Sequence, residues 1–138
     1  MTLLLDASAI VDMLIRSDRG EQVRSALQGR DAAELFTVAH LDAEVFSALA
    51  RSHRSGQLDA DEVGRMLAHL ATLPARRLPI TGELLTAAWS LRSNIAARDA
   101  LYVAAAQALE ARLVTTDDPL TRALPDLVHL EPKGAGPA

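Results

Sequence analysis

The sequence predicts an α/β sandwich built around a mainly parallel sheet. Short apolar runs alternate along the chain with longer segments of helical periodicity. The first run, residues 3–5, is Leu-Leu-Leu with no polar residue in alternation, which is typical of a strand buried on both faces. With 138 residues, 49% of them apolar, the chain fits one domain with a core of useful size.

The first half of the chain divides at several helix boundary signals. Gly29 and Gly56 are typical of positions just after a helix. Asp59 and Glu62 have the spacing of a capping box. The predicted elements, in order, are a strand at 3–5, a helix capped by Ser8, a helix at 18–28, a strand at 34–38, a helix at 40–55 and a helix at 59–74.

The second half continues the alternation of strands and helices. Pro79 marks the edge or end of a strand, and Pro119 opens a short helix. The predicted elements are a strand at 77–80, a helix at 81–91, an uncharged buried helix at 100–109, a strand at 113–116, the short helix, and a last strand at 127–130. We therefore predict a single domain at 1–132, followed by a flexible Gly, Pro and Ala tail at 133–138.

The composition excludes several kinds of site. Without cysteine, the chain has no disulfides, thiolate metal ligands or cysteine nucleophiles. Its four histidines have no spacing typical of a metal-binding pair, so a metal would bind mainly through oxygen. The net charge of −4 disfavours nonspecific binding to nucleic acid unless bound cations reverse the local field. The N-terminus resembles neither a secretory signal nor a membrane span, so we expect a cytoplasmic protein with no membrane partner.

Two acidic residues follow predicted parallel strands. Asp6 comes directly after the first apolar run, and Asp117 follows the strand at 113–116. In an open parallel sheet the ligand site lies beyond the carboxyl ends of the strands. We therefore expect the two carboxylates at the same edge of the sheet.

Two further acids lie on predicted helices. Glu44 borders the apolar stripe of its helix, whereas Asp42 lies on the opposite side and is expected to be solvated, as is Asp12. Asp99 lies at the first turn of the most apolar helix, where the helix dipole favours an anion. Each acid taken singly also has an ordinary structural interpretation as a turn residue, a helix cap or a surface partner.

Convergence of these four carboxylates would favour a divalent cation. Mutual repulsion makes an empty cluster unfavourable, and Mg²⁺ prefers a few carboxylate oxygens together with several waters. Such an ion can lower the pKa of a bound water and stabilise a leaving oxygen. Ser8, Thr115 and Thr116 carry hydroxyl groups that can orient the carboxylates.

Four short motifs resemble those of the PIN-domain family. They are Leu-Leu-Leu-Asp-Ala-Ser-Ala-Ile-Val at 3–11, Leu-Asp-Ala-Glu-Val at 41–45, Ala-Arg-Asp-Ala-Leu-Tyr-Val-Ala-Ala-Ala at 97–106 and Leu-Val-Thr-Thr-Asp at 113–117. All four occur in order and span nearly the whole chain. The length and motifs most resemble the VapC toxins of bacterial toxin–antitoxin pairs.

The resemblance implies a PIN-like three-layer α/β/α sandwich and an endoribonuclease that depends on Mg²⁺ or Mn²⁺. It implies Asp6, Glu44, Asp99 and Asp117 as catalytic and metal-binding acids, with Ser8 and Thr116 as supporting polar groups. It also implies RNA as substrate, a VapB-type antitoxin as inhibitor, and a homodimer that enters a larger complex with that antitoxin.

Other residues are weaker candidates for substrate contacts. Arg98 stands where many relatives have an aromatic or small residue, and it can bind substrate phosphate or pair with an acid. Asn94 and Arg51 are further polar candidates. Trp89 and Tyr102 can stack on bases, but their apolar neighbours at helical spacing favour a core role. The helices at 7–28 and 59–71 have apolar faces that can receive an antitoxin segment or pack on the sheet.

Three other functions are alternatives to the ribonuclease. A phosphoryl-accepting receiver needs paired acids near the first strand, and a dehalogenase-type enzyme needs Asp-x-Asp where this chain has Asp6 and Ser8. The third is a catalytically silent PIN-like module that only binds RNA or a partner. Acids at all four motif positions favour the ribonuclease.

Overall fold

The computed structural model describes residues 1–130. The strands and helices in this range are β1 (Leu3–Leu5), α1 (Ala7–Ile15), α2 (Asp18–Leu27), β2 (Leu35–Val38), α3 (Leu41–Arg54), α4 (Ala60–Ala71), β3 (Arg76–Leu78), α5 (Gly82–Ser90), α6 (Ala97–Leu109), β4 (Arg112–Val114) and α7 (Asp118–Ala123). A 3₁₀ turn at Ala32–Glu34 precedes β2. The predicted α/β class is therefore confirmed.

The four strands within the described range form one parallel sheet in the order β3-β2-β1-β4. Leu4 of β1 pairs with Phe36 of β2 on one side and with Leu113 of β4 on the other. All three leucines of β1 are fully buried, as their continuous apolar run predicts. Helices cover the sheet, and α6 contributes Val103 and several alanines to the core. None of the helices in residues 1–130 is long and apolar enough to cross a bilayer.

Three predictions about local structure are wrong or fall outside the described range. Asp6 caps α1, while Ser8 lies inside the helix, because Asp6 has the extended backbone that a cap requires. The predicted strand at 127–130 is a single bridge between Val128 and Leu113, since α7 leaves only a short return to the sheet edge. The predicted tail at 133–138 lies outside the described residues.

A close helix crossing depends on Gly20 of α2. A Cβ atom at this position would lie 1.9 Å from the main-chain oxygen of Asp12 in α1. Only glycine permits this approach, so the packing of α2 on α1 is fixed at this point. The crossing holds α1, which begins directly after Asp6, against α2.

Arg77 of β3 connects α3 to the end of α4. Its Nε and Nη2 atoms donate to the two carboxylate oxygens of Asp42, at 3.1 and 2.9 Å. Its remaining hydrogen bonds go to the main-chain oxygens of Leu70, Leu73 and Ala75. Asp42 was expected to be solvated, but it is half of a bidentate ion pair on the side of α3 away from Glu44.

Candidate active site

The four predicted acids line one pocket of about 320 Å³ at the carboxyl edge of the sheet. Asp6 follows β1 and Asp117 follows β4, and these strands pair through Leu5 and Val114 at this edge. Glu44 reaches the pocket from the first turn of α3, and Asp99 from the first turn of α6. The structure thus brings together acids that lie on four different parts of the chain.

Asp6 is the most buried of these acids, with only 2% of its surface exposed. Its Oδ1 atom accepts from the Ala9 N–H at 2.9 Å and from the Ser8 hydroxyl at 2.8 Å. Burial raises the pKa of Asp6 to about 6, and the charge of Asp99 adds to the effect. Hydrogen bonds from Thr115, Ala9 and Ser8 oppose this rise but do not cancel it. Ionised Asp6 is therefore held in an unfavourable environment.

The other acids repel one another. Burial raises the pKa of Asp99, and the nearby charges of Asp117 and Glu44 raise it further, while Arg98 acts in the opposite direction. Asp117 also caps α7, because its Oδ1 atom accepts from the Leu120 N–H at 3.0 Å. Asp117 was interpreted, as an alternative, as a turn residue before a cap at Asp118, but Asp117 itself is the cap and also lines the pocket.

The repulsion between the pocket carboxylates is the reason why the pocket suits a divalent cation. No three carboxylate or imidazole groups within residues 1–130 are close enough together to enclose a metal ion. Mg²⁺ needs only one or two direct carboxylates, because it keeps several of its waters. Carboxylates with raised pKa values, supplied from several elements to an open pocket, suit a hydrated hard cation.

Hydroxyl groups connect the strand ends behind the acids. The Ser8 Oγ atom donates to Asp6, lies 3.2 Å from the Thr115 hydroxyl and accepts from the Thr116 N–H. The Thr116 hydroxyl donates to Asp12, whose other oxygen accepts from Ser17 at 2.8 Å. Asp12 was expected to be solvated, but it lines the pocket, and its place on α1 five residues after Ala7 carries no signal of this.

The predicted substrate-contact residues differ in position. Arg98 is 76% exposed at the side chain and lies 3.6 Å from an Asp117 oxygen and 4.0 Å from an Asp99 oxygen. Arg51 is exposed and lines the same pocket. Asn94 lines a smaller adjoining pocket together with Arg98, Asp99 and Asp117.

The two aromatic candidates behave differently from each other. Trp89 was expected in the core, but it is 67% exposed and carries Arg92 over its ring, 4.9 Å from the centroid. Tyr102 is 2% exposed, as expected of a core residue, yet its hydroxyl donates to Glu44 at 2.9 Å. Burial and the charge of Glu44 raise the pKa of the Tyr102 phenol far above its ordinary value of 10.0.

His40 is a pocket neighbour that the sequence analysis missed. Its Nε2 atom lies 2.7 Å from Glu44 Oε1, and its ring stacks on Tyr102 with centroids 4.7 Å apart. Two spacings in the sequence could have indicated His40 and Tyr102. His40 precedes Glu44 by one helical turn, and Tyr102 follows Asp99 by three residues on the same face of α6.

Comparison with known proteins decides the family. The PIN domain matches residues 3–123, which is most of the chain.

The chain belongs to the PIN-domain family.

Among its relatives, Ribonuclease VapC3 of Mycobacterium tuberculosis is 44% identical over 123 residues, which cover 88% of this chain and 87% of the relative. The predicted resemblance to VapC-type PIN proteins is thereby confirmed.

Solved structures show the same fold at low sequence identity. FitAcB from Neisseria gonorrhoeae has a TM-score of 0.71 at 20% identity, covering 94% of this chain and 97% of that one. M. tuberculosis VapC20, described as a sarcin–ricin loop cleaving toxin, has a TM-score of 0.69 at 15% identity, covering 95% and 100%. A toxin–antitoxin complex from Klebsiella pneumoniae has a TM-score of 0.61 at 17% identity, covering 91% and 92%. These likenesses confirm the PIN-type α/β architecture.

Proposed function

We propose that this VapC-type protein is an endoribonuclease that depends on Mg²⁺ or Mn²⁺ and hydrolyses RNA phosphodiester bonds. The observation that carries the proposal is the meeting of Asp6, Glu44, Asp99 and Asp117 in one pocket at the carboxyl edge of the sheet. The family and the names of the curated relatives support the same reaction class.

The acids would hold the cation and act as its ligands, directly or through water. When bound, a divalent cation supplies a water of lowered pKa and stabilises charge on phosphate oxygens. Ser8 fixes the Asp6 carboxylate, and Thr116 supports it by holding Ser8 in place through its N–H. Arg98 and Arg51 lie where they can contact substrate phosphates next to the acids.

Two surfaces fit the proposed role as the toxin of a toxin–antitoxin pair. A groove of about 560 Å³ runs between the end of α1 and the side of α4, and its lining is half apolar and half polar: Leu14, Ile15, Met66 and Ala68 with Arg16, Glu62, Arg65 and His69. We assign this groove to a helix or extended segment of a VapB-type antitoxin. The exposed apolar pair Leu85 and Trp89, on α5, is assigned to a homodimer contact within the larger toxin–antitoxin complex.

Cleavage assays on the purified chain, free of antitoxin, test the proposal. We expect cleavage of a mixed RNA pool with Mg²⁺ or Mn²⁺, none in excess EDTA, and none by Asp6→Asn. Asp126→Asn is the control, because this acid lies on an exposed turn away from the pocket and should leave activity unchanged. Full activity in EDTA would refute the metal mechanism, and full activity of Asp6→Asn would refute the site. A metal-bound chain that cleaves no RNA would favour the silent binding module.

A further inference from the structure

Two ring-bearing side chains hold one oxygen of the Glu44 carboxylate. Both of its described side-chain partners, the Tyr102 hydroxyl at 2.9 Å and His40 Nε2 at 2.7 Å, contact the same oxygen, Oε1. Within residues 1–130, no group donates to Oε2, although Glu44 lines the pocket. One oxygen is thus bound by the protein, and the other is left for a ligand.

These two side chains also pack on each other. The His40 ring stacks on Tyr102 at 4.7 Å with an interplanar angle of 29°, so His40, at the start of α3, and Tyr102 of α6 meet Glu44 as one packed unit. His40 Nδ1 is buried with no hydrogen-bond partner among the described residues. Nε2, 2.7 Å from Glu44 Oε1, is therefore the ring nitrogen through which His40 holds the carboxylate.

Other roles for Tyr102 fit the structure less well. Its ring is 2% exposed, so it has no free face on which an RNA base can stack. Its hydroxyl ends on a carboxylate and on no main-chain group, so it does not complete the hydrogen bonding of the backbone. The contact acts on Glu44 alone.

We propose that His40 and Tyr102 form a clamp that fixes the Glu44 carboxylate for metal binding, which makes both of them positioning residues of the site. The inference rests on the proposed function and adds residues to it. Glutamate has one more rotatable bond than aspartate, so an unclamped Glu44 would lose more side-chain freedom when a cation binds. With the clamp, Glu44 has already lost this side-chain entropy when the protein folds, so cation binding does not have to remove it. The three aspartates have shorter side chains and need less support.

Mn²⁺ binding to the full-length protein without RNA tests the clamp, with free Mn²⁺ measured by electron paramagnetic resonance. Loss of a group that orients a metal ligand typically weakens affinity by about 10- to 100-fold. We expect Tyr102→Phe, which keeps the ring and loses the hydroxyl, to weaken Mn²⁺ binding about 10-fold. Thr37→Val is the matched control, because it removes a fully buried hydroxyl that bonds to the Leu5 carbonyl and to no acid.

A double-mutant cycle separates positioning from general structural damage. In a Glu44→Gln background the clamp has no carboxylate to orient, so adding Tyr102→Phe should cause no further loss of Mn²⁺ affinity. His40→Gln retains an N–H donor and should keep most of the affinity, whereas His40→Leu should lose about as much as Tyr102→Phe. This rescue would not follow from a purely structural role.

The outcomes distinguish the clamp from the proposed function. A wild-type protein that binds no Mn²⁺ would overturn both. If the wild type binds Mn²⁺, and Tyr102→Phe and His40→Leu bind it with the same affinity as the wild type, the clamp alone is overturned. The clamp would also fail if His40→Leu lowered the cleavage rate at saturating Mn²⁺ without changing affinity, because His40 would then act in the chemical step.

Discussion

Replacing Asp6 by asparagine should make the metal-free protein more stable at neutral and alkaline pH. The substitution keeps an oxygen that can accept from the Ala9 N–H and the Ser8 hydroxyl, and asparagine is as good a helix cap as aspartate. It removes the negative charge from a side chain that is 2% exposed. The difference between the two proteins therefore reports the free-energy cost of ionising Asp6 inside the pocket.

The size of this effect follows from the pKa of Asp6. A pKa raised from 3.8 in the unfolded chain to about 6 in the folded protein corresponds to about 3 kcal/mol of destabilisation once the group is ionised. Because the folded pKa is the higher one, the folded state binds the proton more tightly. The cost is absent below about pH 4, develops between about pH 4 and 6, and is constant above that range.

Thermal and urea unfolding in EDTA measure this difference. We expect Asp6→Asn to raise the melting temperature at pH 8 by roughly 10 °C, and the advantage to disappear towards pH 4. Asp126→Asn, on an exposed turn, should show no such pH-dependent gain. If Asp6→Asn were equally or less stable than the wild type at pH 8, the buried carboxylate would not be a source of strain, and the electrostatic argument for a cation would fail.

The remaining predictions concern packing and charge. Gly20→Ala should destabilise the fold by about 1–3 kcal/mol in urea unfolding, because its Cβ would clash with Asp12. Gly64→Ala, at an open position inside α4, should stabilise it by about 0.5–1 kcal/mol, and equal effects of the two would contradict the close crossing. Arg77→Lys should lower the free energy of unfolding by about 2 kcal/mol, since lysine cannot reproduce the bidentate pair with Asp42 and the hydrogen bonds to three carbonyls. Arg76→Lys, on the exposed neighbour, should change stability little. Arg98→Ala should raise the KM for RNA and reduce the salt slope of RNA binding by about 1, and an unchanged slope would exclude a phosphate contact.

The sequence could predict much of the arrangement around the pocket, because the end of a buried strand can be recognised from the sequence alone. A continuous apolar run followed by an acid marks where a buried strand ends, and parallel strands end at a common edge. Helical periodicity correctly predicted that Glu44 and Asp42 lie on different sides of their helix. Glu44 lines the pocket, and Asp42 pairs with Arg77 on another side of α3.

Contacts between distant segments were out of reach for the sequence. His40 and Tyr102 are 62 residues apart, and their meeting at Glu44 depends on how α3 and α6 come together in the fold. The same applies to Asp12, whose partner Thr116 comes from the loop after β4. Trp89 has apolar neighbours at helical spacing, yet it is exposed because the described helices leave that face of α5 uncovered.

By itself, then, the sequence determined the α/β class and the order of the elements and predicted a common edge for the four acids, because apolar periodicity and strand ends are local properties of the chain. Tertiary structure decided which group each acid contacts. It made Asp6 the cap of α1 in place of Ser8, reduced the last predicted strand to one bridge, and placed the Tyr102 hydroxyl and His40 Nε2 on one oxygen of Glu44. The physical reason is that periodicity specifies which face of an element is buried, while the partner on that face is set only when separate elements pack together.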